Sequence, residues 1–149
     1  MSIASAVVKT LLGTKWTKAN TDNRVPIVIN THNDADPNLA MRFDSSNNPV
    51  ILVYELSENR VINGIGINRI WKEDTVTIDI IDSSTQAKAI RVRDECYRVL
   101  EAAYASPGTG YQYIKTPFSV SNHSGTRDFK RWRWTIDVTL VKTNVAAGG

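Results

Sequence analysis

A chain of 149 residues, 42% hydrophobic and 22% charged, is long enough to fold around one real core without help from disulfides or metal. Its single cysteine, Cys96, excludes an internal disulfide and any multi-cysteine metal site. A formal charge of +3 with a pI near 9.1, spread along the chain, is too small an excess to argue for phosphate binding by itself.

Ile3, Val7, Leu11 and Leu12 stand at helical spacing ahead of Gly13, which predicts a first helix over residues 3–12. Lys9 interrupts that apolar run and no basic side chain precedes it, so it does not read as a signal peptide. No segment approaches the roughly 20 apolar residues that span a bilayer. A chain neither secreted by the usual route nor embedded in a membrane is expected.

Next, "RVPIVIN" is a short β-branched run whose Pro26 fits an edge strand or a strand start. "THNDADPN" is loop chemistry. "PVILVYELS" reads as a strand buried on both faces for much of its length, and "NRVINGIGINR" as a turn or irregular loop around Asn63, Gly64 and Gly66. In "DTVTIDIID", Val76, Ile78 and Ile80 alternate onto one face.

The clearest helix is predicted over residues 84–104, with Asp82, Ser83 and Ser84 as possible N-caps. Its apolar stripe is Ala89, Val92, Cys96, Val99, Leu100 and Ala103, widened by Ile90, Tyr97 and Tyr104. Opposite lie Arg91, Asp94, Glu95, Arg98 and Glu101, with Asp94 and Arg98 spaced for an i,i+4 ion pair. "SPGTG" ends the helix; a strand near "YQYIKTPFSV" and a polar turn "SNHSGTRD" follow.

The final run, "FKRWRWTIDVTLVKT", interleaves basic and aromatic residues, as a nucleic-acid surface often does. Its spacing argues otherwise. Trp132, Trp134, Ile136, Val138 and Leu140 fall on every second position, with Arg131, Arg133, Thr135, Asp137 and Thr139 between them. Side chains alternate along a strand, so the tryptophans turn into the core and only the arginines face outward. Asp137 in the same row opposes a continuous phosphate track and offers the arginines an acidic partner. The expected whole is one α+β domain over residues 1–143: a mostly antiparallel sheet with an N-terminal helix and one long helix on one face. Residues 144–149 are expected to be a flexible tail.

No constellation of catalytic groups stands out. Asp34, Asp36 and Asn38 imitate the start of an EF-hand loop, but Leu39 sits where glycine is needed and Ser45 where the bidentate Glu belongs. Asp79, Asp82 and Glu95 are the carboxylates a Mg²⁺-dependent nuclease would need, but a strand face, a helix start and a polar helix face do not converge. His32 and His123 read as solvated loop histidines, and Cys96 as a small buried hydrophobe. "NGIG" lacks the Lys and Ser/Thr of a phosphate loop. Neither an enzyme nor a cofactor or metal is expected.

The order of elements carries more. A helix ending near "KW", "RVPIVIN", "PVILVYE" with "NGIG", "TVTIDIID" running into "VRDECYRVLEAA", and a closing "RDFKRWRWTIDVTLVKT" together resemble the tail-terminator or tail-completion proteins of long-tailed phages and related viruses. The similarity covers roughly residues 3–143 and rests on element order and helix texture. It implies a virion protein made in the host cytoplasm, a homo-hexameric ring on the head-proximal end of the tail tube. Such a ring stops tube polymerisation and joins the tube protein to the head-connector or neck proteins, with genome DNA passing through its channel unread. Arg91, Asp94, Glu95, Arg98, Arg131 and Arg133 are then candidate subunit or neck contacts. The alternatives are another neck component, such as a head-closure or adaptor protein, or a small nucleic-acid-binding module resting on Arg127, Lys130, Arg131 and Arg133.

Overall fold

Alternation of apolar and polar residues builds a five-stranded sheet. The computed structural model describes residues 3–31, 48–62, 69–108, 110–123 and 132–146. Within these, β1 (Ile27–Asn30), β2 (Val50–Ile62), β3 (Arg69–Asp82), β4 (Tyr113–Asn122) and β5 (Trp132–Ala146) lie in the order β1-β2-β3-β5-β4. β1 and β2 run parallel; the other three pairings are antiparallel. Helices α1 (Ile3–Thr14) and α2 (Gln86–Ala102) pack together on one face. The chain is an α+β domain with a mostly antiparallel sheet, as its element order predicts.

The core is where the two periods meet. Val76, Ile78 and Ile80 of β3 and Ile136, Val138 and Leu140 of β5 are fully buried beneath Val92, Cys96, Val99 and Leu100 of α2. Val8 and Leu12 of α1 close the same core over Ile51 and Val53 of β2. Each such side chain contributes roughly 1.5–3 kcal/mol by leaving water. Trp134 is buried as expected, but Trp132 is only half-buried. It pairs with Asp82 at the end of the β3 ladder and donates from Nε1 to the Ser84 carbonyl at 3.0 Å, so its polar end is satisfied at the margin of the core.

Several boundaries differ from the sequence reading. α2 is capped by Thr85, whose Oγ1 accepts from Lys88 N at 3.3 Å, because Asp82 is engaged elsewhere. β2 and β3 run on to Ile62 and back from Arg69, with Ile62 opposite Ile70, so part of the expected irregular loop is strand. β-branched Val61, Ile62 and Ile70 favour that extension; Gly64 and Gly66 lie outside the described residues. β5 continues to Ala146 opposite Arg69, taking in residues 144–146 of the expected tail. Open backbone N–H and C=O groups on the neighbouring strand supply partners for this stretch whatever its side chains.

β2 is not buried on both faces beyond its first residues: Leu52 and Tyr54 are half-buried. Its ladder with β3 shifts between Glu55 and Ser57, leaving Leu56 exposed. Beyond that point one extra residue reverses which side chains face the helices. Glu55 precedes the shift and, opposite Val76, continues the inward row of Ile51 and Val53, so its Oε1 accepts from Ser5 N at 2.8 Å in the first turn of α1, a favourable place for a carboxylate. After α2, Gly108 and Gly110 take positive φ in the turn toward β4, where a side chain would be strained.

Candidate interaction surfaces

The sheet face away from the helices is polar. Thr75, Thr77 and Asp79 of β3 lie opposite Thr139, Asp137 and Thr135 of β5. Thr75 and Thr139 share a hydrogen bond of 2.8 Å between hydroxyls, and Thr77 donates to Asp137 Oδ1 at 2.8 Å. Arg133 reaches across to Asp79 with two bonds, from Nε at 3.1 Å and from an Nη at 2.7 Å. The acidic partner of Arg133 is thus Asp79, a diagonal neighbour, while Asp137 is taken by Thr77. Half-buried Tyr54 lies in this row. Burial raises its phenol pKa, and the charges of Asp79 and Asp137 raise it further, against the opposing pull of Arg133 and a hydrogen bond with Thr77. His123 lies at the edge, exposed, 3.0 Å from Thr135 Oγ1.

The outer face of α2 is the second surface. Arg91 pairs with Asp22, and Arg93 pairs with Asp94 at 3.1 Å while lying over the rings of Tyr97 and Trp134 at 5.7 and 5.5 Å. The expected Asp94–Arg98 pair is replaced: Arg98 Nε meets Glu95 Oε1 at 2.6 Å, and an Nη of Arg98 meets Oε2 at 2.7 Å. Glu95 is not on a solvated face at all. It is 2% exposed and also accepts from Thr17 N at 2.6 Å and Asn20 Nδ2 at 3.0 Å. The signal was available: three residues after Val92 and four before Val99, position 95 sits on the margin of the buried stripe.

Burial alone would raise the Glu95 pKa. Hydrogen bonds from Arg98, Asn20 and Thr17 N outweigh that and hold it below its ordinary 4.5. A carboxyl depressed in the native state stabilises the fold above its unfolded pKa, and that contribution is lost as pH falls through the native value. The stability gap between the parent and Glu95→Gln is therefore expected to be full at pH 6 and to shrink steadily below about pH 4.5. Denaturation midpoints across that range check it; a gap that widens on acidification would reverse the assignment.

Of the six residues expected at contacts, Arg91, Asp94, Arg98 and Arg133 keep side chains 57%, 56%, 42% and 50% exposed. Three sit on α2 and Arg133 on the opposite side of the sheet, so they form two surfaces, not one. Glu95 is withdrawn as a contact, being buried. Arg131, Arg127 and Lys130 lie outside the described residues, as do His32 and the acidic loop of Asp34, Asp36 and Asn38.

The three carboxylates weighed for metal chemistry are each held by a separate arginine. Asp79 pairs with Arg133, Glu95 with Arg98, and Asp82 with Arg24 through bonds of 3.0 and 2.9 Å. Asp82 Oδ1 also accepts from Ser84 N at 3.0 Å, so it serves the approach to α2 without capping it. Among the described residues no group of three or more His, Cys, Asp or Glu comes together to hold a metal ion. Burial pushes the Cys96 thiol pKa up, Glu95 beside it adds to the shift, and the thiol stays protonated.

One cluster had no counterpart in the sequence reading. The Tyr111 phenol donates to Asp74, Lys142 lies over the Tyr111 ring at 4.7 Å, and Lys72 approaches Asp74 at 3.3 Å. Burial, then the bond to Asp74, raises the phenol pKa. Residues from three separate stretches meet there, so no local spacing announces it. Comparison with known proteins adds no relative: no protein-family model and no curated protein matches the chain.

Proposed function

We propose that this chain is a non-enzymatic virion protein, the subunit of a ring at the head-proximal end of the tail tube of a long-tailed virus, where it ends tube polymerisation and joins tail to head connector. The observation that carries this reading is the placement of exposed charged residues on two unlike surfaces of a sheet with two unlike edges. A closed ring is built from head-to-tail contacts, which need two different surfaces on every subunit. α2 offers Arg91, Asp94 and Arg98; the far side of the sheet offers Arg133. The outer strands also differ: β1 has four residues in parallel pairing, whereas β4 has ten, a register shift between Lys115 and Ser119, and an exposed Val120.

The pairing of Arg133 with Asp79 and the presence of Asp137 beside it weigh against the nucleic-acid module, since both carboxylates repel a phosphate backbone. Mass measurement in solution, over a range of concentrations and with tail tubes added, tests the reading. A ring-sized particle, most simply of six subunits, is expected, alone or on the tube, with duplex-DNA binding that is weak and fades at physiological salt. A strict monomer under every condition, or tight DNA binding at physiological salt, would sink it. A ring that caps a head connector and never a tube would reassign the chain to another neck component.

A further inference from the structure

Residues 15–24, between α1 and β1, form a loop closed on itself. Trp16 Nε1 donates to Thr21 Oγ1 at 3.1 Å and to the Arg24 carbonyl at 3.2 Å, and Thr21 Oγ1 donates to that same carbonyl at 2.7 Å. Asn23 N bonds to the Lys18 carbonyl at 2.9 Å, and Arg24 N to that of Thr21 at 3.1 Å. The turn is made by Asp22 and Asn23, both left-handed at φ 57° and 60°, a region that Asp and Asn tolerate better than other side chains. Trp16 is the loop's one apolar side chain packed against the core; Lys15 and residues 17–20 are exposed.

What joins this loop to the domain is mainly polar, and much of it converges on the Glu95–Arg98 pair of α2. Glu95 takes Thr17 N, Asn20 and Arg98, and Arg98 in turn donates to the Lys15 carbonyl at 2.7 Å and to Thr17 Oγ1 at 3.3 Å. Arg91 holds Asp22 from the same helix, and Asp82 holds Arg24 from β3. Beyond the loop, β1 is a four-residue edge strand, the shortest in the sheet; it adds Val28 and Ile29 against the core and a 2.9 Å bond from Asn30 Nδ2 to Ser5 Oγ, which opening must also break. Segments with few buried apolar contacts open at lower free energy than the core, and as cooperative units.

We propose that loop 15–24 and β1 form a hinged unit, latched to α2 through Glu95, that opens as a whole while β2, β3 and β5 stay paired. Because several donors share Glu95, weakening that one acceptor loosens them together. Opening uncovers the edge of β2 at residues 50–53, which β1 otherwise occupies.

Amide hydrogen exchange read residue by residue on the full chain tests this with Glu95→Gln, and with Asn20→Ala as a milder change in an exposed position. The informative amides are Ile27 and Thr31, bonded to the carbonyls of Pro49 and Val53 and not to Glu95. In Glu95→Gln both are expected to exchange at least tenfold faster, with Ile78 and Ile136 unchanged; Asn20→Ala should move the same two amides by a smaller factor. Acceleration confined to Thr17 would mean a local contact only and overturn the proposal. So would equal acceleration of Ile78 and Ile136, which marks global destabilisation, or an Asn20→Ala protein whose Ile27 and Thr31 exchange as in the parent.

Discussion

Replacing Trp134 by Ala is expected to cost about 3–5 kcal/mol, a large share of the roughly 5–15 kcal/mol that holds a domain of this kind together. Trp134 is 4% exposed, sits between Ile80 of β3 and Asn122 of β4 in the ladders, and supports the Arg93 guanidinium on its ring. Removing the indole leaves a void between two sheet neighbours and a helix that cannot simply close on it, and Arg93 loses its cation–π contact. Trp132→Ala should cost distinctly less, because that ring is only half-buried at the sheet margin. Chemical denaturation of the two variants checks both the size and the order. Equal midpoints for Trp134→Ala and the parent would mean that the strand faces the other way and that the ring is available at the surface.

Asp82→Ala should be about as damaging, at about 3–5 kcal/mol, for a different reason. It leaves the Arg24 guanidinium, in a residue 8% exposed, without the carboxylate that meets it in two hydrogen bonds. The harm comes chiefly from the stranded charge, so removing both partners should recover most of it. Arg24→Met combined with Asp82→Leu is expected to be markedly more stable than Asp82→Ala alone, since apolar replacements of a buried ion pair are often near neutral. A double-mutant cycle on denaturation midpoints reads this directly. If the double variant is worse than Asp82→Ala, the pair contributes by its geometry, and the stranded-charge account fails.

What the sequence determined by itself is the set of faces. Alternation in β3 and β5 and the 3.6-residue stripe of α2 state which side chains turn inward, because side-chain direction follows from local backbone geometry alone. From these come the α+β class, the element order, the inward Trp134 and the outward Arg133. The tertiary structure decided everything that depends on a distant partner. Glu95 looked solvated until Thr17 and Asn20, more than 70 residues away, were folded against it. Asp82 looked like a helix cap until Arg24 arrived from 58 residues upstream. The same holds for the pairing of Arg133 with Asp79 in place of nearby Asp137, for Tyr111 on Asp74, and for Glu55 on the first turn of α1. A periodic pattern records only that a polar group needs a partner; which one it meets is set by strand order and register, which bring remote residues within hydrogen-bonding distance.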